Sequence, residues 1–89
     1  MEKKYKITSE TGLHARPATL LVNTAVKYKS ELILEASGKQ VNMKSIMGVM
    51  SLGVYCGEIV VVYADGPDAE EALNGISTLF IAQQLGREL

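Results

Sequence analysis

Eighty-nine residues, 47% of them apolar and 21% charged, describe one small globular domain spanning 1–89, because so short a chain buries only about 60–65% of its unfolded surface around a single core. Nine basic against ten acidic residues leave a net charge of −1, which excludes an electrostatic case for a nucleic-acid or membrane partner. The single cysteine, Cys56, excludes an internal disulfide, and no apolar run approaches the roughly 18 residues that cross a bilayer.

The first residues, Met1 to Lys6, hold no apolar signal core, so a cytoplasmic protein is expected. Lys4 to Thr8 alternate, with Tyr5 and Ile7 on one side, and predict a first strand. A polar loop from Ser9 to Gly12 follows. Pro17 then starts a segment in which Ala18, Leu21, Val22 and Ala25 recur at helical spacing, a first helix ending near Lys27 to Lys29. Glu31 to Ala36 and Lys39 to Met43 read as a hairpin closed by Ser37-Gly38. Ser45 is a natural N-cap for a brief second helix that ends before Gly53. Glu58 to Ala64 is apolar on both faces and predicts a central strand. Asp68, three residues before Glu71, resembles a capping box for a third helix that runs to about Leu85, with Gly86 as its stop. Gly75 inside that helix predicts close approach of another element.

The order β-α-β-β-α-β-α predicts an α+β open-faced β-sandwich, with a four-stranded antiparallel sheet carrying three helices on one face and its other face wet. No internal repeat, linker or low-complexity segment divides it.

The stretch Gly12-Leu13-His14-Ala15-Arg16-Pro17-Ala18-Thr19 concentrates the chemistry. A helix start leaves backbone N–H groups unpaired, and the positive end of the helix dipole favours an anion there. Pro17 is compatible with that start because it lacks an N–H. His14 is the only histidine, an imidazole that can act as a nucleophile, and Arg16 offers a planar fork of donors suited to phosphoryl oxygens. A lone histidine is more often solvated or satisfied in a core, so this stretch by itself is an anion-binding candidate. The glycines at 48, 53 and 57 match no nucleotide-binding loop, and one His with one Cys makes no metal site. No second acid, base or metal set accompanies His14, which argues against an autonomous enzyme and for no cofactor. A small RNA-binding fold fails for want of a basic stripe and interleaved exposed aromatics.

His-Ala-Arg-Pro is followed by a second motif, Lys44-Ser45-Ile46-Met47-Gly48-Val49-Met50-Ser51-Leu52-Gly53. Together these motifs resemble the HPr family, the histidine-containing phosphocarriers of the bacterial phosphoenolpyruvate-dependent sugar phosphotransferase system. The resemblance covers nearly the whole chain. It implies that His14 accepts a phosphoryl group on Nδ1 from enzyme I and passes it to sugar-specific IIA domains. Arg16 and the amides near Ala15 and Arg16 would hold the phosphoryl charge, and Thr11, Ile46, Met47 and Met50 would touch partners.

The second motif is similar to that of low-GC Gram-positive members. There the serine matching Ser45 is modified by HPr kinase/phosphorylase, and the modified form is corepressor for the catabolite control factor CcpA. A phosphate at Ser45 would sit at the start of the second helix and add about −1.5 to −2 charge to the partner-facing surface. The alternative is an HPr-like regulator acting only through Ser45; in the regulatory paralogue a glutamine replaces the histidine, so His14 argues against it. A monomer is expected. Two departures from the family pattern stand out: the loop Tyr55-Cys56-Gly57-Glu58 is one residue short, and Val60 and Val62 occupy positions that are polar elsewhere. The valines are expected to make the open sheet face sticky, with weak self-association as the consequence.

Overall fold

The computed structural model describes residues 1–89. Its elements run β1 (Glu2–Ile7), α1 (Ala15–Ala25), β2 (Glu31–Ala36), β3 (Lys39–Asn42), α2 (Ile46–Ser51), β4 (Ile59–Asp65), α3 (Ala69–Ala82) and β5 (Gly86–Glu88). The sheet is antiparallel with order β3-β2-β4-β1-β5. The open-faced sandwich with three helices is therefore present, but the sheet has five strands where four were expected. The extra strand is the terminal segment read as the stop after α3. Gly86 lies so close to Lys6 that a Cβ would come within 2.5 Å of its carbonyl oxygen, and Gly86, Arg87 and Glu88 pair with Ile7, Lys6 and Tyr5. Three residues with no apolar alternation give no strand signal.

Alternation sorts the sheet into two faces. Tyr5, Ile7, Leu32, Leu34, Val60, Val62 and Ala64 point inward and join Ala18, Leu21, Val22 and Ala25 of α1 and Ala72, Leu73, Ile76 and Phe80 of α3 in a core of 22 buried residues. Tyr5 stacks on Phe80 with ring centroids 4.3 Å apart, and its hydroxyl pairs with that of buried Ser77. Val60 and Val62 are thus core residues, fully buried opposite Tyr5 and Leu34, and do not roughen the open face as expected. A strand apolar on both sides carries no parity signal, and one residue of ambiguity exchanges its faces. Ile59, Val61 and Tyr63 face outward instead, and Ile59 is 53% exposed.

The β2–β3 turn is as expected: Ser37 and Gly38 take consecutive left-handed conformations, φ 53° and 77°, which this tight turn requires. Gly75 also has its close neighbour, since a Cβ there would overlap the Tyr28 hydroxyl. Asp68 behaves differently from the expected cap. Its carboxylate makes no capping bond to α3 and instead accepts the Lys29 amide (2.9 Å), the Ser30 amide (2.9 Å) and the Ser30 hydroxyl. These bonds, led by that from the Ser30 side chain, hold the Asp68 carboxyl down at about 2. An acidic residue before a helix is a local signal that a tertiary tie can claim.

Candidate functional site

The loop between β1 and α1 is anchored from beneath. Gly12 has φ 64°, and a Cβ there would lie 2.1 Å from the Val54 carbonyl oxygen, so only glycine fits. The same carbonyl accepts the Leu13 amide at 3.1 Å, and Leu13 is buried. This clamp delivers His14 to the surface in extended conformation, φ −79° and ψ −170°, as the N-cap of α1.

The helix starts two residues before Pro17. His14 accepts the first helical bond at its carbonyl, from the Ala18 amide at 3.0 Å, while its side chain caps nothing. Pro17 occupies the third helical position, where its missing N–H removes no intrahelical bond. The amides of Ala15 and Arg16 precede it and donate to no acceptor in the chain. The expected geometry of an open helix start is therefore present, although Pro17 stabilises the first turn without opening it.

His14 and Arg16 are both exposed and line one shallow cavity of about 120 Å³. Its other polar walls are Ser9 and Gln83, and Leu20 and Leu85 form an apolar side. Thr11 is exposed and outside that cavity, joined to it only through a 3.4 Å contact between its hydroxyl and that of Ser9. No sequence motif marks Ser9 or Gln83. Gln83 is distant along the chain and reaches the cavity because β5 returns alongside β1, the same feature that the sequence pattern does not carry.

At the second motif, Ser45 is the N-cap of α2, and its Oγ accepts the Gly48 amide at 3.0 Å. Gly48 lies tight against Ser45, with 3.3 Å from an ideal Cβ to Oγ. Of the apolar residues in this helix, Val49 is buried, Leu52 half-buried, and Ile46, Met47 and Met50 are exposed, Met47 by 81%. Tyr55, also exposed, follows in a tight turn in which the Glu58 carboxylate accepts the Tyr55 amide and the Gly57 amide donates to Ile7 at 2.7 Å. The short loop therefore continues the ladder into β1, with the Ile7 amide donating to the Glu58 carbonyl at 2.9 Å. Cys56 is exposed, its Sγ 3.7 Å from the Thr8 carbonyl.

A larger cavity of about 350 Å³ lies at the β2–β3 edge, where Lys44 is tied to the Tyr28 carbonyl at 2.7 Å. It contains neither His14 nor Arg16. No three His, Cys, Asp or Glu side chains converge as a metal set, and no helix is long and apolar enough to cross a membrane.

An exposed histidine beside Arg16, at a helix start whose first two amides are unengaged, is an arrangement open to an anion. The sequence matches the family described as the PTS HPr component phosphorylation site over residues 1–82. The chain belongs to this family of phosphotransferase-system phosphocarriers. It is similar in structure to the histidine-containing phosphocarrier protein of Mycoplasma, with a TM-score of 0.95 and 38% identity over 97% of this chain and 98% of that one. HPr of Thermoanaerobacter tengcongensis gives 0.88 and 47%, covering 93% of each chain. Crh, the Bacillus subtilis catabolite repression protein described as a domain-swapped dimer, gives 0.73 and 44%, covering 88% of this chain and 90% of the other.

Proposed function

We propose that this chain is a cytoplasmic relay of the phosphoenolpyruvate-dependent sugar phosphotransferase system, carrying its phosphoryl group on His14. The observation that supports this most is the placement of the exposed imidazole in one cleft with Arg16, at a helix start whose first two amides are unengaged. Loading is an in-line transfer. An unprotonated imidazole nitrogen forms a bond to phosphorus while the bond from phosphorus to the enzyme I donor breaks; unloading to a IIA domain is the reverse event with a new acceptor. Arg16 and the Ala15 and Arg16 amides stabilise the equatorial oxygens, and the partner supplies the remaining machinery. Incubation with phosphoenolpyruvate and enzyme I is expected to give an acid-labile phosphoprotein. Equal labelling of a His14→Ala variant would overturn the assignment.

Ser45 is the proposed regulatory position, a substrate of HPr kinase/phosphorylase, with exposed Ile46, Met47 and Met50 forming the surface that reads its state, including for CcpA. Flexible thioether side chains suit a surface used by several partners. A purely regulatory role through Ser45 is the second reading; the 44% identity to Crh falls among the values for the carriers and does not separate the two, while His14 argues for the relay. Complementation of sugar uptake separates the two: a relay restores uptake, and a regulator does not.

A further inference from the structure

The end of α3 is held at the His14 cleft by the strand that follows it. The Gln83 amide donates to Leu79 at 2.9 Å, Gln84 turns the chain with φ 54°, and the Leu85 amide returns to Phe80 at 2.9 Å. The buried Leu85 then offers its carbonyl to the amides of Thr8 and Ser9, at 3.0 and 3.2 Å, before β5 pairs with β1. This stitching brings Ser9 and Gln83 from opposite ends of the chain into the cavity of His14 and Arg16.

Both side chains are neutral and nearly idle. The Gln83 carboxamide makes no hydrogen bond in the chain, and the Ser9 hydroxyl has only its 3.4 Å contact with Thr11. A helix C-terminus is the negative end of a dipole and is a poor wall for an anion cleft. Here the Leu79, Phe80 and Ile81 carbonyls are engaged by the amides of Gln83, Leu85 and Gln84, and Gln83 itself lines the cleft. A carboxamide has two donors and a hydroxyl one, and a phosphoryl group has three acceptor oxygens.

Taking the carrier reading of His14 as its basis, we infer that Ser9 and Gln83 are phosphoryl-oxygen ligands of the loaded protein, completing the donor set of Arg16 and the α1 amides. They bind the dianion without adding charge, so the group is held and remains transferable. Gln83 also sets a charge requirement: a carboxylate at this position would oppose the phosphoryl group.

The test uses the full chain loaded by phosphoenolpyruvate and enzyme I, as wild type, Ser9→Ala, Gln83→Ala and Gln83→Glu, with His14→Ala as the labelling control. Two quantities are read: the second ionisation of the phosphoryl group by phosphorus NMR, and the phosphorylated fraction at equilibrium with enzyme I. Losing donors to the dianion, or placing a negative charge beside it, raises the phosphoryl pKa. Ser9→Ala and Gln83→Ala are each expected to raise it and to lower the loading constant about two- to tenfold, with Gln83→Glu at or beyond the upper end. Gln83 is exposed, so its variants fold, and the phosphoryl pKa does not respond to a purely structural role. Identical pKa and loading in all four proteins, with His14 still carrying the label, would overturn the inference and leave the carrier reading standing. Label that persists in His14→Ala would instead overturn the carrier reading, and this inference with it.

Discussion

At the start of α1 the N-cap is His14, whose side chain makes no capping bond; at the start of α2 it is Ser45, whose hydroxyl accepts the Gly48 amide at 3.0 Å. Both helices face the same elementary problem of unpaired first-turn amides. The 11-residue α1 leaves the Ala15 and Arg16 amides unengaged, whereas the six-residue α2 accepts an amide at its own start through Ser45. A capping serine is worth about 1 kcal/mol, so α1 forgoes stability of that order at its start. The difference separates two chemistries. At His14 an arriving anion meets unengaged donors, and at Ser45 a modification must first replace a bond that already exists.

Converting the first helix start into the second is the sharpest test of this contrast. His14→Ser places a capping hydroxyl on backbone already in the extended conformation that caps adopt. The expected result is complete loss of acid-labile phosphate together with a gain of about 1 kcal/mol in urea unfolding. Loss of stability in this variant would show that His14 supports the fold in some way beyond its backbone.

The open start also depends on the clamp beneath it. Gly12→Ala combines a left-handed backbone with a Cβ only 2.1 Å from the Val54 carbonyl oxygen, an atom of the main chain that cannot swing aside. A cost of about 2–4 kcal/mol is expected in urea unfolding, with slower loading of His14 because the Leu13–Val54 bond is disturbed as well. Gly53, equally left-handed but with open space around an added Cβ, is the control: Gly53→Asn should lose much less.

The segment after α1 supplies a control independent of both helix starts. Asp68 has a folded pKa of about 2, below the ordinary carboxylate value near 4, because Ser30 and the Lys29 and Ser30 amides bond its charged form. Its contribution is therefore complete above about pH 4 and is lost as pH falls through 2. The urea midpoint of the wild type should drop across that window. That of Asp68→Asn should begin lower and decline less, while the loading of His14 at neutral pH stays within the range set by its stability.

How far these features could be read from the sequence depends on whether their signal is local. His14, Arg16 and Pro17 lie in one run, which residue types alone mark as an anion-binding candidate, and the Ser37-Gly38 turn and the close packing at Gly75 are legible in the same local way. Where a signal is local but serves two masters, it misleads: Asp68 has the spacing of a cap and is spent on the α1–β2 connection, and Pro17 resembles a first residue but sits two positions in. Val60 and Val62 belong to a strand apolar throughout, so its inward parity is decided only by pairing with β1 and β2. Gln83 and Ser9 are the extreme case. They meet because Gly86–Glu88 adds to the sheet edge, and a glycine followed by two charged residues announces no strand.

The finest form of the contrast lies at Ser45, where a cap and a charge can be varied separately. Ser45→Ala removes the bond to Gly48 and is expected to cost about 1 kcal/mol in unfolding, with loading of His14 within about twofold of wild type. Ser45→Asp keeps a good N-cap, so stability should return to near the wild-type value. It also places a negative charge beside exposed Ile46, Met47 and Met50, on a helix packed against the one that begins at His14. Charge at the rim of a docking surface acts mainly on encounter. Loading by enzyme I should therefore slow about two- to tenfold at low salt and recover as salt screens the charge. If Ser45→Ala slows loading as much as Ser45→Asp, the effect belongs to the cap, and the role of Ser45 is structural. If only the aspartate variant slows it, and salt reverses the loss, the second helix start governs the first through charge alone.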